Sequence, residues 1–335
     1  MEAGQATRAT RPVLQELQER LSGRPALAGA AVIVAIFLIL VAAKGLHDVA
    51  QTGLNGLSLG AIYALGAVGL TLVYGILKLV NFAHGDFLTF GAYMAYLVNV
   101  TWGVPLVVAV FWAMAMTALL GVFFERILWG PMRAKRAGLL QLLLMSIGLA
   151  FVIRAVVQWF WGTSIRQLDV NRTDSVELLG VRIGQTELMV VIVGFVVLVV
   201  IGFFIRYSLL GKRMRALADD IELAETAGID TRRVILYTWV FAGALAGLAG
   251  VLAGAITDLR PDTGFELLLP IFAAVVMGGI GDAFGALAAG MVLGVVIEWS
   301  TLVIDARWKI AIGFVALVIV LVIRPQGIFG RAKAI

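Results

Sequence analysis

Asn81, His84 and Asp86 form the densest polar cluster between two apolar stretches of this 335-residue chain, in the run Asn81-Phe82-Ala83-His84-Gly85-Asp86. An amide, an imidazole and a carboxylate at that spacing could line a path for a polar solute or relay a proton. The same residues also suit a rigid turn, with Asn81 and Asp86 bonded to backbone, Asp86 as the N-cap of the next helix, and His84 satisfied by a carbonyl. Arg154 and Glu298 each sit well inside an apolar run, so their charges must face partners or water, and a mutual ion pair is open to them. Asn55, Ser58 and Tyr63 place an amide and two hydroxyls on roughly one face of an apolar helix, where they either line a path or hydrogen-bond between helices. Bond-making chemistry finds no support. There is no G-x-x-x-x-G-K-[ST] phosphate loop, no catalytic triad spacing, no H-E-x-x-H and no cysteine, and His47 and His84 lack partners at metal-ligand spacing.

The elements that must position these residues are membrane helices. Hydrophobic residues make up 61% of the chain and charged residues 14%, with a mean hydropathy of +1.00, far from the balance of a soluble domain. Apolar segments fall at 27–43, 53–77, 86–100, 105–124, 139–161, 188–205, 234–256, 267–281, 286–304 and 310–323. They are too long and unbroken for barrel strands, so the fold class is all-α, a polytopic membrane protein with about eight to ten spanning or re-entrant helices. Segments 86–100 and 267–281, at 15 residues each, fall short of the ~20 that cross a bilayer upright. Residues 1–25 read as a polar tail containing a short helix at Leu14 to Leu21, too long and without the cleavage pattern of a signal peptide, and 26–330 as the membrane domain. With the N-terminus inside, 18 of the 26 Lys and Arg fall on cytoplasmic segments, which accounts for the pI of about 9.7 without nucleic acid and leaves both termini cytoplasmic.

Between the apolar runs, the stretch Arg206 to Arg233 is polar with a helical pattern. From Ala216 to Ala227, Leu217, Ile221 and Ala224 form one small apolar face opposite Asp219, Asp220, Glu222 and Glu225, and Gly228 supplies a helix stop. A short helix led in by Lys212, Arg213 and Arg215 suits a membrane subunit moved by a soluble motor. Glycine pairs at 56 and 60, 243 and 247, 250 and 254, and 290 and 294 are the small-xxx-small pattern of close helix packing. Gly85-Asp86 followed by Gly91-Ala92 is echoed weakly by Gly281-Asp282 followed by Gly285-Ala286, as in transporters built from two repeats with interrupted helices, and Asp282, like Asp86, also suits the N-cap of the helix that follows it.

These motifs together resemble the permease family of branched-chain amino-acid ABC importers, specifically the LivH-type subunit. The resemblance runs from about Gly53 to Gly330. It rests on the stretch Asn55 to Leu65 continuing through Val73-Tyr74-Gly75-Ile76 into Asn81 to Asp86 and Gly91-Ala92-Tyr93; on Met214-Arg215-Ala216 through Ala227-Gly228-Ile229 and the Gly-rich run Phe241 to Gly250; on Gly278 to Asp282 with Gly285-Ala286; and on Arg324-Pro325-Gln326-Gly327. The first 50 residues lie outside it. The resemblance implies a cell-membrane subunit paired with a second homologous permease, two ATPase subunits and an extracytoplasmic solute-binding protein, embedded in membrane lipid. ATP and Mg would be held by the ATPases and no cofactor by this chain. Residues 216–228 would be the coupling helix, with Arg215, Leu217, Ile221, Ala224, Glu225 and Gly228 at the ATPase, and the loops 162–187 and 257–266 would receive the binding protein. Branched-chain or other apolar amino acids are the expected solutes, with urea or short amides as the alternative within the class. Outside it stand a lone secondary transporter with His84, Asp86, Arg154 and Glu298 as an ion relay, and a scaffold whose basic loops bind anionic lipid.

Overall fold

The computed structural model describes residues 25–178, 181–324 and 327–328. The expected tail and its short helix, and Pro325 and Gln326 of the C-terminal motif, lie outside the described residues. Each of the ten apolar segments coincides with a helix: α1 (Pro25–Lys44), α2 (Leu46–Leu77), α3 (His84–Tyr96), α4 (Leu106–Phe124), then, after the short α5 (Gly130–Ala134), α6 (Leu139–Trp161), α7 (Gln185–Tyr207), α10 (Thr231–Ile256), α11 (Thr263–Gly278), α12 (Ala283–Ser300) and α13 (Lys309–Ile323). The short helices α8 (Leu209–Asp219) and α9 (Ile221–Thr226) lie between α7 and α10. Among the described residues, six helical stretches are long and apolar enough to cross a bilayer: α2, α4 continued to Ala134, α6, α7, α10 and α12. The chain divides into two compact units, and the division falls within α2, after Val49.

In the larger unit, α2 and α10 form the buried centre, with 89% and 78% of their most apolar stretch enclosed, against 22% for α4 and α7. Sequence composition explains the difference. Lipid tails are as apolar as leucine, so helices associate through close packing, and the central helices carry the glycines that permit it. Gly56 and Gly60 of α2 interleave with Gly290 and Gly294 of α12, where a Cβ on Gly294 would lie 2.3 Å from the Gly60 nitrogen. Gly243 and Gly247 of α10 lie on the α4 backbone at Thr117 and Ala113, and a Cβ on Gly250 would lie 2.0 Å from the Leu88 oxygen of α3.

The two short segments behave differently from the rest. Helix α3 continues as a π-helical turn, Leu97–Thr101, and eleven of its thirteen residues are buried, so it is an inner element. Helix α11 has Pro270 inside it and ends at Gly278, before the expected limit of 281, because Gly279 and Gly281 take positive φ values of 103° and 92°. The breaks after α2 and after α11 lie side by side, since a Cβ on Gly75 would lie 3.5 Å from the Gly281 Cα. One departure from an all-helical chain is a hairpin, β1 (Ser175–Leu178) paired antiparallel with β2 (Val181–Gly184). Its cause is the period-2 alternation of Val176, Leu178, Val181 and Ile183 with polar residues, bounded by glycine. Arg166 and Leu259 exchange backbone bonds of 3.0 and 2.8 Å, and Arg172 donates to the carbonyls of Gly254, Ala255 and Thr257, so the α6–α7 loop is stitched to the end of α10.

Gly250→Ala should force the α3 and α10 backbones apart and cost about 1–3 kcal/mol. Gly148→Ala, on an open face of α6 with nothing within 4 Å of the added carbon, should be neutral or stabilising. The thermal midpoints of the two variants in mild detergent check this.

Candidate functional site

The break between α2 and α3 is held from three sides. Asn81 is fully buried; its Oδ1 accepts from the Ala83 nitrogen at 3.1 Å, while its Nδ2 has no partner among the described residues. The Phe82 nitrogen donates to Ser146 Oγ of α6 at 3.1 Å. His84 Nε2 lies 3.0 Å from the Gly66 oxygen of α2. A carbonyl can only accept, so the proton is on Nε2. Asn81 and His84 thus each make one of the backbone bonds that a rigid turn would use.

Asp86 does not cap the helix. It is the third residue of α3, whose N-cap is Ala83, whereas Asp282, of which the same was expected, does cap, accepting from the nitrogens of Phe284 and Gly285 at the start of α12. Asp86, fully buried, receives Arg154 Nε at 3.0 Å and Nη2 at 3.3 Å. The guanidinium also lies 4.9 Å from the Phe265 ring centroid and 5.7 Å from that of Phe151. One ion pair thus joins α3 to α6, with α11 against it. The mutual Arg154 and Glu298 pair does not form, because Glu298 is engaged by Lys309 of α13 at 2.5 Å. Sequence separation carries no signal for this choice. The four residues of the expected relay are divided between the Asp86–Arg154 pair, the Glu298–Lys309 pair and a histidine bonded to backbone.

The polar residues of α2 are only partly gathered with this cluster. His84 meets Gly66, three residues beyond Tyr63, whereas Ser58 lies 3.4 Å from both the Leu54 and Glu187 oxygens, at the start of α7. Ser58 and Tyr63 are buried, and the Asn55 Oδ1 is enclosed without a partner. At Ser58 the interhelical bond is what the structure contains.

The 206–233 stretch departs from a single amphipathic helix. Asp220 is extended (φ −157°, ψ 116°) and its carboxylate accepts from the Leu223 nitrogen at 3.0 Å, so it ends α8 and caps α9. Aspartate is a strong cap former, and that preference overrides the i, i+4, i+7 pattern across it. Leu217 and Ala224 are buried within the chain itself, and Ile221 is half-buried. The surface of the elbow is Glu222, Leu223, Glu225 and Thr226, with Leu223 67% exposed. Gly228 takes φ +81°, and the Ile229 nitrogen returns to the Ala224 oxygen at 3.1 Å, closing α9 with a left-handed cap. Arg215 donates to the terminal carbonyls of α7 at Ile205 and Arg206, and Lys78, at the end of α2, donates to the Ala218 oxygen at 3.1 Å. The elbow is therefore bolted to two long helices. Beside it is a groove of about 470 Å³ lined by Arg213, Gly228, Asp230, Arg233 and Tyr237.

Sequence reasoning missed one further cluster. Buried Glu125 opens a π-helical turn, Glu125–Trp129, at the end of α4; it accepts from Trp239 Nε1 of α10 at 2.7 Å and is paired with Arg133, while the Trp129 and Trp239 rings stack 6.3 Å apart. A carboxylate closing an apolar run, with an arginine eight residues on, was the available signal.

Arg154→Gln leaves Asp86 buried without a counter-charge and should cost about 3–5 kcal/mol, while Asp86→Asn with Arg154→Gln should recover most of that loss. Thermal unfolding of wild type, single and double variants in detergent measures both effects.

Residues 53–322 match the family model described as the permease component of the branched-chain amino acid transport system. The chain is 32% identical over 300 residues to the high-affinity branched-chain amino acid transport system permease protein LivH of Escherichia coli (strain K12), covering 84% of this chain and 96% of that relative. It is 31% identical over 297 residues to the corresponding permease protein BraD of Pseudomonas aeruginosa, with the same coverage of each. The permease protein LivM of Escherichia coli is 24% identical over 365 residues, covering 96% of this chain and 82% of that relative. A multi-pass helical body and a match across most of its length lead to one conclusion: this chain belongs to the family of branched-chain amino acid transport system permeases.

Proposed function

We propose that the chain is a transmembrane permease subunit of an ABC importer for branched-chain or other apolar amino acids. The observation that carries this reading is the bolted α8–α9 elbow on a body of membrane helices, in a family whose members are transport permeases. Two relatives from one organism, LivH and LivM, both resemble the chain, which supports pairing with a second homologous permease. One of two ATPases, which hold ATP and Mg, then seats on the elbow, and an extracytoplasmic binding protein delivers solute to the opposite end. The excess of Lys and Arg on the elbow side supports a cytoplasmic location for that side and for both termini.

In this reading ATP binding shifts the populations of two permease arrangements, and the chain supplies mechanical linkage and no chemical step. Arg215 and Lys78 transmit movement of the elbow to α7 and α2. The contact with the ATPase is made by Leu223, Glu222 and Glu225, and Leu217 and Ala224 support it from inside. This reassigns the apolar face expected from the sequence, on the ground of its burial.

Leu223→Asp should leave the thermal midpoint within about 2 °C of wild type and reduce co-purification of the ATPases at least ten-fold, at the scale of losing one buried interface anchor. Leu217→Asp, by contrast, should destabilise the permease itself. Wild-type permease that emerges alone from several mild detergents, and moves solute by itself in liposomes, would refute the importer reading.

A further inference from the structure

Arg154 is anchored on one side only. Its Nε and Nη2 face Asp86, which is fully buried, whereas the arginine side chain is 17% exposed. Nη1, on the opposite edge, makes no hydrogen bond among the described residues and is not among the enclosed polar atoms. A guanidinium has five N–H donors in a rigid fork, so the edge turned away from Asp86 keeps donors for a second carboxylate. The rings on either side of it, Phe265 and Phe151, are 45% and 63% exposed. Asp86 thus fixes the guanidinium from behind, and the two rings leave its free edge open.

The setting narrows what can lie against that edge. Arg154 is well inside α6, and a charge at such a position cannot face hydrocarbon, so this face is covered by water or by protein. From it runs an apolar strip along the uncovered side of α11, with Phe265, Leu269, Phe272 and Val276 at helical spacing, while Leu268, Ile271, Ala274 and Val275 point into the core. Phe272 packs on Phe82 of the α2–α3 break, with ring centroids 5.1 Å apart. A single cationic edge at the head of an apolar strip matches a small molecule with a carboxylate at one end and a hydrocarbon group at the other.

We propose that the free edge of Arg154 binds the α-carboxylate of an apolar amino acid on the translocation path, with the solute's side chain lying against Phe265 and the α11 strip. The inference rests on the importer reading and deepens it. It assigns the α6–α11 face to the path between the two permeases, and it makes Asp86 a positioning residue that orients the guanidinium.

The test uses the assembled importer, both permeases with ATPases and binding protein, in proteoliposomes, and reads L-leucine uptake beside ATP hydrolysis stimulated by the loaded binding protein. The Asp86→Asn, Arg154→Gln double variant carries no unpaired buried charge, so it separates stability from recognition. It should assemble and hydrolyse ATP within about two-fold of wild type while uptake falls at least ten-fold. Phe265→Ala should raise the leucine concentration for half-maximal uptake several-fold. Uptake restored to wild-type level in the double variant would overturn the carboxylate site and leave the pair purely structural. A wild-type assembly without ATP-driven uptake would instead sink the importer reading, an outcome visible before any variant is made.

Discussion

Backbone-to-backbone contact is the constraint on which the structure depends. With no water to exclude, two helices gain from association only what their packed surfaces offer, and that rises steeply as their axes approach. The interleaved glycines of α2 and α12, and the seating of α10 on α3 and α4, bring main chains to distances that no side chain would permit. Such contacts leave little room for sliding. The breaks after α2 and after α11 lie beside one another.

Charge is the second constraint, and it separates the inside of the bundle from its lipid-facing side. Among the described residues, each buried carboxylate has a specific partner: Asp86 has Arg154, Glu125 has Arg133 and Trp239, and Glu298 has Lys309. These pairs contribute little net stability against an apolar replacement, but removing one member leaves a bare charge, so they act as registers that allow one arrangement of helices. Thr89 plays the same part without charge, accepting from the Gly264 nitrogen at 2.9 Å where α3 meets the first turn of α11.

How much of this was legible in the sequence depended on range. Hydropathy located every apolar helix, because span length and burial are properties of contiguous residues. Gly56, Gly60, Gly290 and Gly294 declared themselves as packing positions, though nothing in their spacing said that the two pairs face each other. The partner of Arg154 was not legible, because Asp86 and Glu298 are equally good acids and only the fold brings one of them near. At the elbow, periodicity suggested one helix through 216–227. The run Asp219-Asp220 held the contrary signal, which is a local capping preference that outweighs an apolar pattern of three residues.

The wide turn at Glu125–Trp129 carries a consequence for chain length. Two turns of α-helix take about seven residues, and a π turn adds one, so eight residues return the chain to the same face. Arg133 stands eight residues after Glu125 and meets it for that reason. The extra residue is therefore a unit of phase. A chain shortened by one position in this turn would swing Arg133 and the basic residues after it about a quarter-turn around the helix axis, changing which partner surface they address while every apolar contact before Glu125 stayed in place.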